Sequence, residues 1–118
     1  MKRILVIDDD KQVQTLIPII FEQENYHIKG TLHIGNLEDL LSDYKPDLII
    51  LDVMLGDVDG RYICNFLKEK ALFKSIPIIL VSGAITNKES LGCSPDAFLK
   101  KPFDIDELIQ KVDDLVHA

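Results

Sequence analysis

The chain has 118 residues, which suits one domain with its own core, and its 47% hydrophobic and 28% charged residues are ordinary for a globular protein in water. The net charge of -7 argues against direct nucleic-acid binding, because phosphate backbones are bound by clustered Lys and Arg. No apolar run reaches the ~20 residues of a membrane span and no signal peptide is evident, so we expect no membrane insertion.

The chain has two cysteines, Cys64 and Cys93. They are too few and too far apart in sequence for a disulfide framework or a zinc site. We therefore expect two reduced thiols in a cytoplasmic protein, with Cys64 in the core.

Apolar runs typical of buried strands alternate with helical periodicities along the whole chain. We predict five strands, over residues 3–7, 26–32, 47–51, 76–81 and 97–100. Five helices alternate with them, from about Lys11 to Phe21, from Gly35 to about Lys45, around 62–67, over about 86–92 and from Asp104 to the end. Pro18 should bend the first helix without ending it, because the apolar stripe continues on both sides.

This alternation predicts an α/β fold, with right-handed crossovers and helices on both faces of a parallel sheet. We expect a doubly wound five-stranded sheet of order 2-1-3-4-5, as in flavodoxin-like folds. No linker or repeat interrupts the pattern, so one domain should fill residues 1–118.

Polar side chains follow four of the five predicted strands. In the 2-1-3-4-5 order strands 1, 3, 4 and 5 are neighbours, so their carboxyl ends should meet in one crevice. The groups brought together there are Asp8 and Asp9, Asp52, Ser82, and Lys100 with Lys101.

Three carboxylates in one crevice repel each other by roughly 4 kcal/mol per pair at ~4 Å and an effective dielectric near 20. Either one carboxyl is protonated or a cation lies among them. Oxygen ligands with few protein neighbours favour Mg²⁺, which keeps several waters and leaves room for phosphate. A metal, a lysine and a hydroxyl around Asp52 would make a phosphoryl-transfer site with Asp52 as nucleophile.

In this order and spacing, four motifs resemble a response-regulator receiver domain, and the resemblance covers the whole chain. The motifs are residues 4–10, residues 46–55 leading to Asp59-Gly60, residues 77–83 and residues 98–103. The resemblance implies that the chain accepts a phosphoryl group from a sensor histidine kinase or a histidine phosphotransfer protein and then switches contacts with an unknown downstream protein.

The resemblance also implies a role for each matching residue. Asp52 matches the phosphoacceptor. Asp8 and Asp9 match the acidic pair that holds Mg²⁺, and Asp52 with the backbone carbonyl of Met54 would complete the protein ligands.

Lys101 matches the lysine that pairs with the phosphoryl group, and its peptide bond to Pro102 is expected to be cis. Ser82 matches the hydroxyl residue that turns toward the phosphoryl oxygen. Phe98 matches an aromatic switch position, although core packing is an equally good interpretation of an aromatic residue on a short strand.

Several neighbouring residues have simpler interpretations. Asp10 is expected to cap the first helix and Lys100 to be solvated. The three histidines, His27, His33 and His117, match no ligand spacing and are interpreted as structural or solvated.

Two features depart from the receiver pattern. Gly56 stands where the family usually has Pro, so the loop after Asp52 should be freer. The segment 83–96 is shorter than expected and has Ser94-Pro95 where a Gly-Ala pair is usual, which bears on the proposed switch between Ser82 and Phe98.

We therefore predict a signalling domain that catalyses its own phosphorylation and dephosphorylation and is not a turnover enzyme. A phosphorylation-independent pseudo-receiver that acts through protein contacts is the alternative. A phosphohydrolase would need a second Asp where Met54 stands, and a flavin carrier would need a phosphate-binding loop where residues 8–10 are acidic.

Overall fold

The computed structural model describes residues 1–84 and 92–118. The strands in these ranges are β1 (Lys2–Ile7), β2 (Tyr26–Thr31), β3 (Leu48–Asp52), β4 (Met54–Leu55), β5 (Val58–Asp59), β6 (Ile78–Ser82) and β7 (Ala97–Lys100). The helices are α1 (Lys11–Ile20), α2 (Leu37–Tyr44), α3 (Gly60–Glu69) and α4 (Ile105–Val116). Within these ranges, no helix has both the length and the apolar character that a bilayer crossing requires.

Five strands form one parallel sheet in the order β2-β1-β3-β6-β7. This is the predicted 2-1-3-4-5 order once β4 and β5, which pair only with each other, are set aside. The predicted doubly wound α/β fold is therefore confirmed. The predicted helix over about 86–92 falls almost wholly on residues 85–91, outside the described ranges.

Both faces of the sheet are covered, which explains the unbroken apolar runs of β3 and β6. Every residue of these two strands is buried, and successive side chains point to opposite faces. One face packs on α2 and α3, through a core that includes Leu5, Ile49, Leu80, Leu41 and Leu67. The other face packs on α1 and α4, through a core that includes Ile4, Ile50, Val81, Ile17 and Leu108.

Aspartate side chains cap three helices. The carboxylates of Asp10, Asp59 and Asp104 accept hydrogen bonds from backbone N–H groups in the first turns of α1, α3 and α4, as predicted for Asp10. Pro18 lies within α1, and the helix continues past it to Ile20.

The loop after β3 contains a small hairpin that the sequence pattern did not predict. Strands β4 and β5 pair antiparallel, and the pair Leu55–Val58 leaves a two-residue turn. Gly56 takes the first turn position with a φ of +59°. Proline cannot adopt a positive φ, whereas glycine adopts it without strain. The turn therefore accounts for a glycine at position 56, where the receiver pattern usually has proline.

Candidate functional site

Four neighbouring strands end in polar side chains at one edge of the sheet. Asp8 directly follows β1, Asp52 and Ser82 are the last residues of β3 and β6, and Lys101 directly follows β7. In residues 1–84 and 92–118, the buried polar side chains are Asp8, Asp52 and Ser82, at 3%, 5% and 0% exposure. Because charged groups are costly to bury unless they are paired, this edge is where the fold concentrates its electrostatic interactions.

Three carboxylates meet at this edge, as predicted. Asp8, Asp9 and Asp52 each place an oxygen within 4.8 Å of the others. The backbone N–H of Asp10 donates to Asp8 Oδ1 at 2.9 Å, and the N–H of Gly56 donates to Asp9 Oδ2 at 2.9 Å. The hairpin turn therefore orients the exposed carboxylate of the group.

Lys101 supplies the cation that faces the buried carboxylates. Its Nζ lies 3.0 Å from Asp8 Oδ2 and 3.4 Å from Asp52 Oδ2. Burial on its own lowers the pKa of Lys101, but hydrogen bonds and charges from the two aspartates outweigh it, and the net pKa is raised. The ammonium group therefore remains charged at neutral pH. The Lys101–Pro102 peptide bond is cis, as expected.

Asp52 is held in an environment that disfavours its charge. Burial, followed by the negative charge of Asp8, raises the pKa of Asp52 to about 6. The charge of Lys101 and a hydrogen bond from the backbone N–H of Met54 act in the opposite direction. Positive charge near Asp52 therefore favours its ionised, nucleophilic form.

The donor set fits a small hard cation. Asp8, Asp9 and Asp52 offer three carboxylate oxygens around one point, and Asp9 is exposed to solvent. Mg²⁺ prefers one or two carboxylates with several waters and substrate phosphates, so a site with an open side matches its requirements. The backbone of Met54 lies beside the group, because its N–H donates to Asp52.

Gly60 belongs to one of the four motifs, but the sequence analysis assigned it no role at the site. A Cβ at this position would lie 2.0 Å from the backbone oxygen of Asp52. The N–H of Gly60 donates to the carbonyl of Val53 at 2.6 Å, which brings the start of α3 against the end of β3. Only a residue without a side chain fits here, and the sequence signal was the glycine directly after Asp59.

A comparison with known families identifies the arrangement. The model of the response regulator receiver domain matches residues 4–113. The chain belongs to this family.

Two relatives of this receiver domain are regulatory proteins. It is 34% identical over 115 residues to the DNA-binding dual master transcriptional regulator RpaA of Synechocystis, covering 95% of this chain and 48% of that protein. It is 32% identical over 114 residues to the nisin biosynthesis regulatory protein NisR of Lactococcus lactis, covering 94% of this chain and 48% of that protein. The chain thus spans about half the length of these curated relatives.

Solved receiver domains share the fold. The signal receiver domain of a DNA-binding response regulator (merR) from Colwellia psychrerythraea 34H has a TM-score of 0.85 at 28% identity, with 100% of both chains covered. The predicted receiver family and the flavodoxin-like sheet are both confirmed.

Ser82 and Phe98 lie on the same face of the receiver sheet. Ser82 is fully buried, and its Oγ accepts a hydrogen bond from the N–H of Ala84 at 3.1 Å. Phe98 is half-buried and packs against the core beneath α2 and α3. The structure thus shows Phe98 as a packing residue, and its role as a switch stays a prediction.

The two cysteines are closer in space than their sequence separation suggested. Cys64 is buried on α3, as predicted, and both thiols are free. Cys93 is half-buried and packs against the core that contains Cys64, and Asn65 Nδ2 donates to the carbonyl of Gly92, next to Cys93, at 3.1 Å. These free thiols agree with the expectation of two reduced cysteines.

Lys100 and the three histidines, which the sequence analysis interpreted as structural or solvated, lie outside the carboxylate group. Lys100 is exposed, as are His27, His33 and His117. The ring nitrogens of His27 and His117 lie near tyrosine hydroxyls, at 2.6 Å and 3.4 Å. These contacts agree with structural or solvated roles for the histidines.

Proposed function

We propose that this receiver domain accepts a phosphoryl group from a phosphohistidine onto Asp52 with the help of Mg²⁺. The observation that carries the proposal is the setting of Asp52, which is 5% exposed, 3.4 Å from Lys101 Nζ and within 4.8 Å of oxygens of Asp8 and Asp9. A buried carboxylate between a cation and two further carboxylates is suited to phosphoryl transfer.

In the proposed reaction Asp52 is the nucleophile. A carboxylate oxygen forms the new P–O bond as the P–N bond of the phosphohistidine breaks, and the departing imidazole nitrogen keeps the electron pair and takes up a proton. With a pKa of about 6, the carboxyl of Asp52 is mostly ionised at neutral pH. In dephosphorylation a water oxygen forms a new bond to phosphorus as the P–O bond to Asp52 breaks; the carboxylate keeps the electron pair, and the product is inorganic phosphate with the water's protons passing to phosphate or solvent.

The neighbouring residues have complementary roles in this proposal. Asp8, Asp9 and Asp52, with the backbone carbonyl of Met54, would hold Mg²⁺, which when bound offsets the negative charge of the phosphoryl oxygens. Lys101 would pair with a phosphoryl oxygen as a compact ammonium charge.

We also propose that phosphorylation switches protein contacts through Ser82 and Phe98. A new dianionic group at Asp52 offers strong acceptors to the Ser82 hydroxyl, and movement of Ser82 would change the space beside Phe98. The proposed donors are a sensor histidine kinase or a histidine phosphotransfer protein, and this domain, which we place in the cytoplasm, would pass the signal to a protein partner.

The direct test is intact-mass analysis after incubation with acetyl phosphate, with and without Mg²⁺. Wild type and the control Asp57→Asn, which changes an exposed carboxylate in the hairpin turn, should both gain one phosphate-sized mass that requires Mg²⁺. Asp52→Asn should gain none.

The outcomes separate the alternatives. Failure with both acetyl phosphate and a phosphorylated histidine donor would overturn the phosphoacceptor role and favour a pseudo-receiver. Phosphorylation that leaves the NMR signals of Ser82 and Phe98 unchanged would overturn the proposed switch and leave the phosphoacceptor role intact.

A further inference from the structure

Gln14 reaches from α1 back to the end of the sheet beside the carboxylate group. Its side-chain Nε2 lies 3.1 Å from the carbonyl oxygen of Val6, 3.0 Å from that of Asp8 and 2.9 Å from that of Thr31. An amide nitrogen carries two hydrogens, so at least one of them is shared between two carbonyls. The amide orientation is set by these partners, because the opposite one would place Oε1 against three oxygens.

These bonds complete the attachment of Asp8. Its N–H donates to the carbonyl of Thr31 at 3.2 Å, and its own carbonyl accepts from Gln14. Both main-chain polar groups of Asp8 are therefore bound, the N–H by Thr31 of β2 and the carbonyl by Gln14 of α1. Asp9 follows in the chain, so the direction of its carboxylate depends on the same attachment.

Gly30 leaves the space that the Gln14 amide occupies. It lies opposite Val6 in the pairing of β1 with β2. A Cβ at position 30 would lie 1.8 Å from Gln14 Oε1 and 2.8 Å from Gln14 Cδ. Gly30 is exposed and the obstructing atoms belong to a flexible side chain, so an alanine there would displace the amide and leave the backbone in place.

We infer that Gln14 is a positioning residue for the cation site and that Gly30 keeps the room for it. The inference rests on the proposed binding of Mg²⁺ by Asp8, Asp9 and Asp52. Gln14 does not touch the cation in this arrangement. It acts by fixing the main chain from which the Asp8 and Asp9 carboxylates project, as residues behind metal ligands commonly do.

The test measures Mn²⁺ binding from the EPR signal of the free ion, without any phosphoryl donor. Gln14→Met keeps the side-chain length and the helix propensity but removes the donor. It should weaken Mn²⁺ binding about tenfold, at the lower end of what such supporting residues contribute. Gln23→Met, at an exposed position in the turn after α1, is the matched control and should leave binding unchanged.

Gly30→Ala provides an independent route to the same displacement. It should weaken Mn²⁺ binding by a similar factor. The double variant should bind Mn²⁺ about as tightly as the single variant with the lower affinity, because both changes remove the same hydrogen bonds of the Gln14 amide. In acetyl phosphate reactions, Gln14→Met should raise the half-saturating Mg²⁺ concentration and leave the rate at saturating Mg²⁺ unchanged. Thermal unfolding midpoints show that each variant is folded at the assay temperature.

Each outcome bears on a different claim. If Gln14→Met and Gly30→Ala bind Mn²⁺ as tightly as Gln23→Met, the inference is overturned and the proposed cation site stands. Lower unfolding midpoints with unchanged Mn²⁺ affinity would have the same meaning. If wild type binds Mn²⁺ no better than Asp9→Asn, the proposed cation site fails and the inference fails with it.

Discussion

Replacing Asp52 by Asn should stabilise the folded protein at neutral pH when metal ions are removed with EDTA. Burial and the charge of Asp8 raise the pKa of Asp52 from 3.8 to about 6. The ionised carboxylate therefore costs the folded state free energy that the unfolded chain does not incur. An Asn amide keeps the shape of the side chain and removes the charge.

The sign and size of the effect follow from the two pKa values. Between pH 3.8 and about 6 the folded state binds more protons than the unfolded state, so stability is lost as the pH rises through this window. At about 1.4 kcal/mol per pKa unit, the cost of the Asp52 charge is about 3 kcal/mol at neutral pH. At about pH 4 it falls below about 1 kcal/mol, because Asp52 is then mostly protonated in the folded state.

Urea unfolding in EDTA at about pH 7.5 and about pH 4 measures both values as differences in the free energy of unfolding. Asp43→Asn makes the same change in net charge at an exposed position on α2 and should have little effect at either pH. The reasoning is refuted if Asp52→Asn stabilises no more than Asp43→Asn at neutral pH, or if its effect is the same at both pH values.

Three further predictions follow from other contacts. Gly60→Ala would bring a methyl group to 2.0 Å from the Asp52 carbonyl oxygen. It should therefore slow labelling by acetyl phosphate at least about tenfold and lower the free energy of unfolding by about 1–3 kcal/mol. Mass analysis and urea unfolding measure these two effects, and wild-type values in both would contradict the prediction. Burial raises the pKa of the Cys64 thiol to about 12, so this thiol should react with DTNB far more slowly in the folded protein than in the protein unfolded in urea. Equal reaction rates in the two states would contradict the prediction. Mg²⁺ at a hundred times its dissociation constant should stabilise the wild type by about 2.7 kcal/mol, and it should stabilise Asp9→Asn much less. Thermal unfolding measures both values, and equal stabilisation would mean that the cation binds elsewhere.

The sheet and the carboxylate group were predictable because their signals are local and strong. A run such as residues 48–51 without polar interruption indicates a strand covered on both faces, and the alternation with helices indicates a parallel sheet. The order 2-1-3-4-5 was taken from flavodoxin-like folds. In a parallel sheet the carboxyl ends meet at one edge, so Asp8, Asp52 and Lys101 could be placed together from sequence.

The remaining contacts depend on tertiary structure and have no periodic signal. Each strand of the hairpin Met54–Asp59 has two residues, too few for an alternation pattern, and the hairpin is oriented by the bond from Gly56 to Asp9. In sequence Gln14 is simply a polar residue on an amphipathic helix, and its three carbonyl partners lie on β1, directly after β1 and on β2.

The place of Asp52 in the sheet affects how the site responds to local opening. Its strand, β3, is fully buried and hydrogen-bonded on both sides, so its amide hydrogens should exchange with solvent only on global unfolding. Lys101 follows β7, which among the described residues pairs with β6 and lies at the edge of the sheet, and elements with fewer partners open at a lower free-energy cost. Asp52 thus belongs to the part of the domain that opens last, and Lys101 can change position while Asp52 stays fixed.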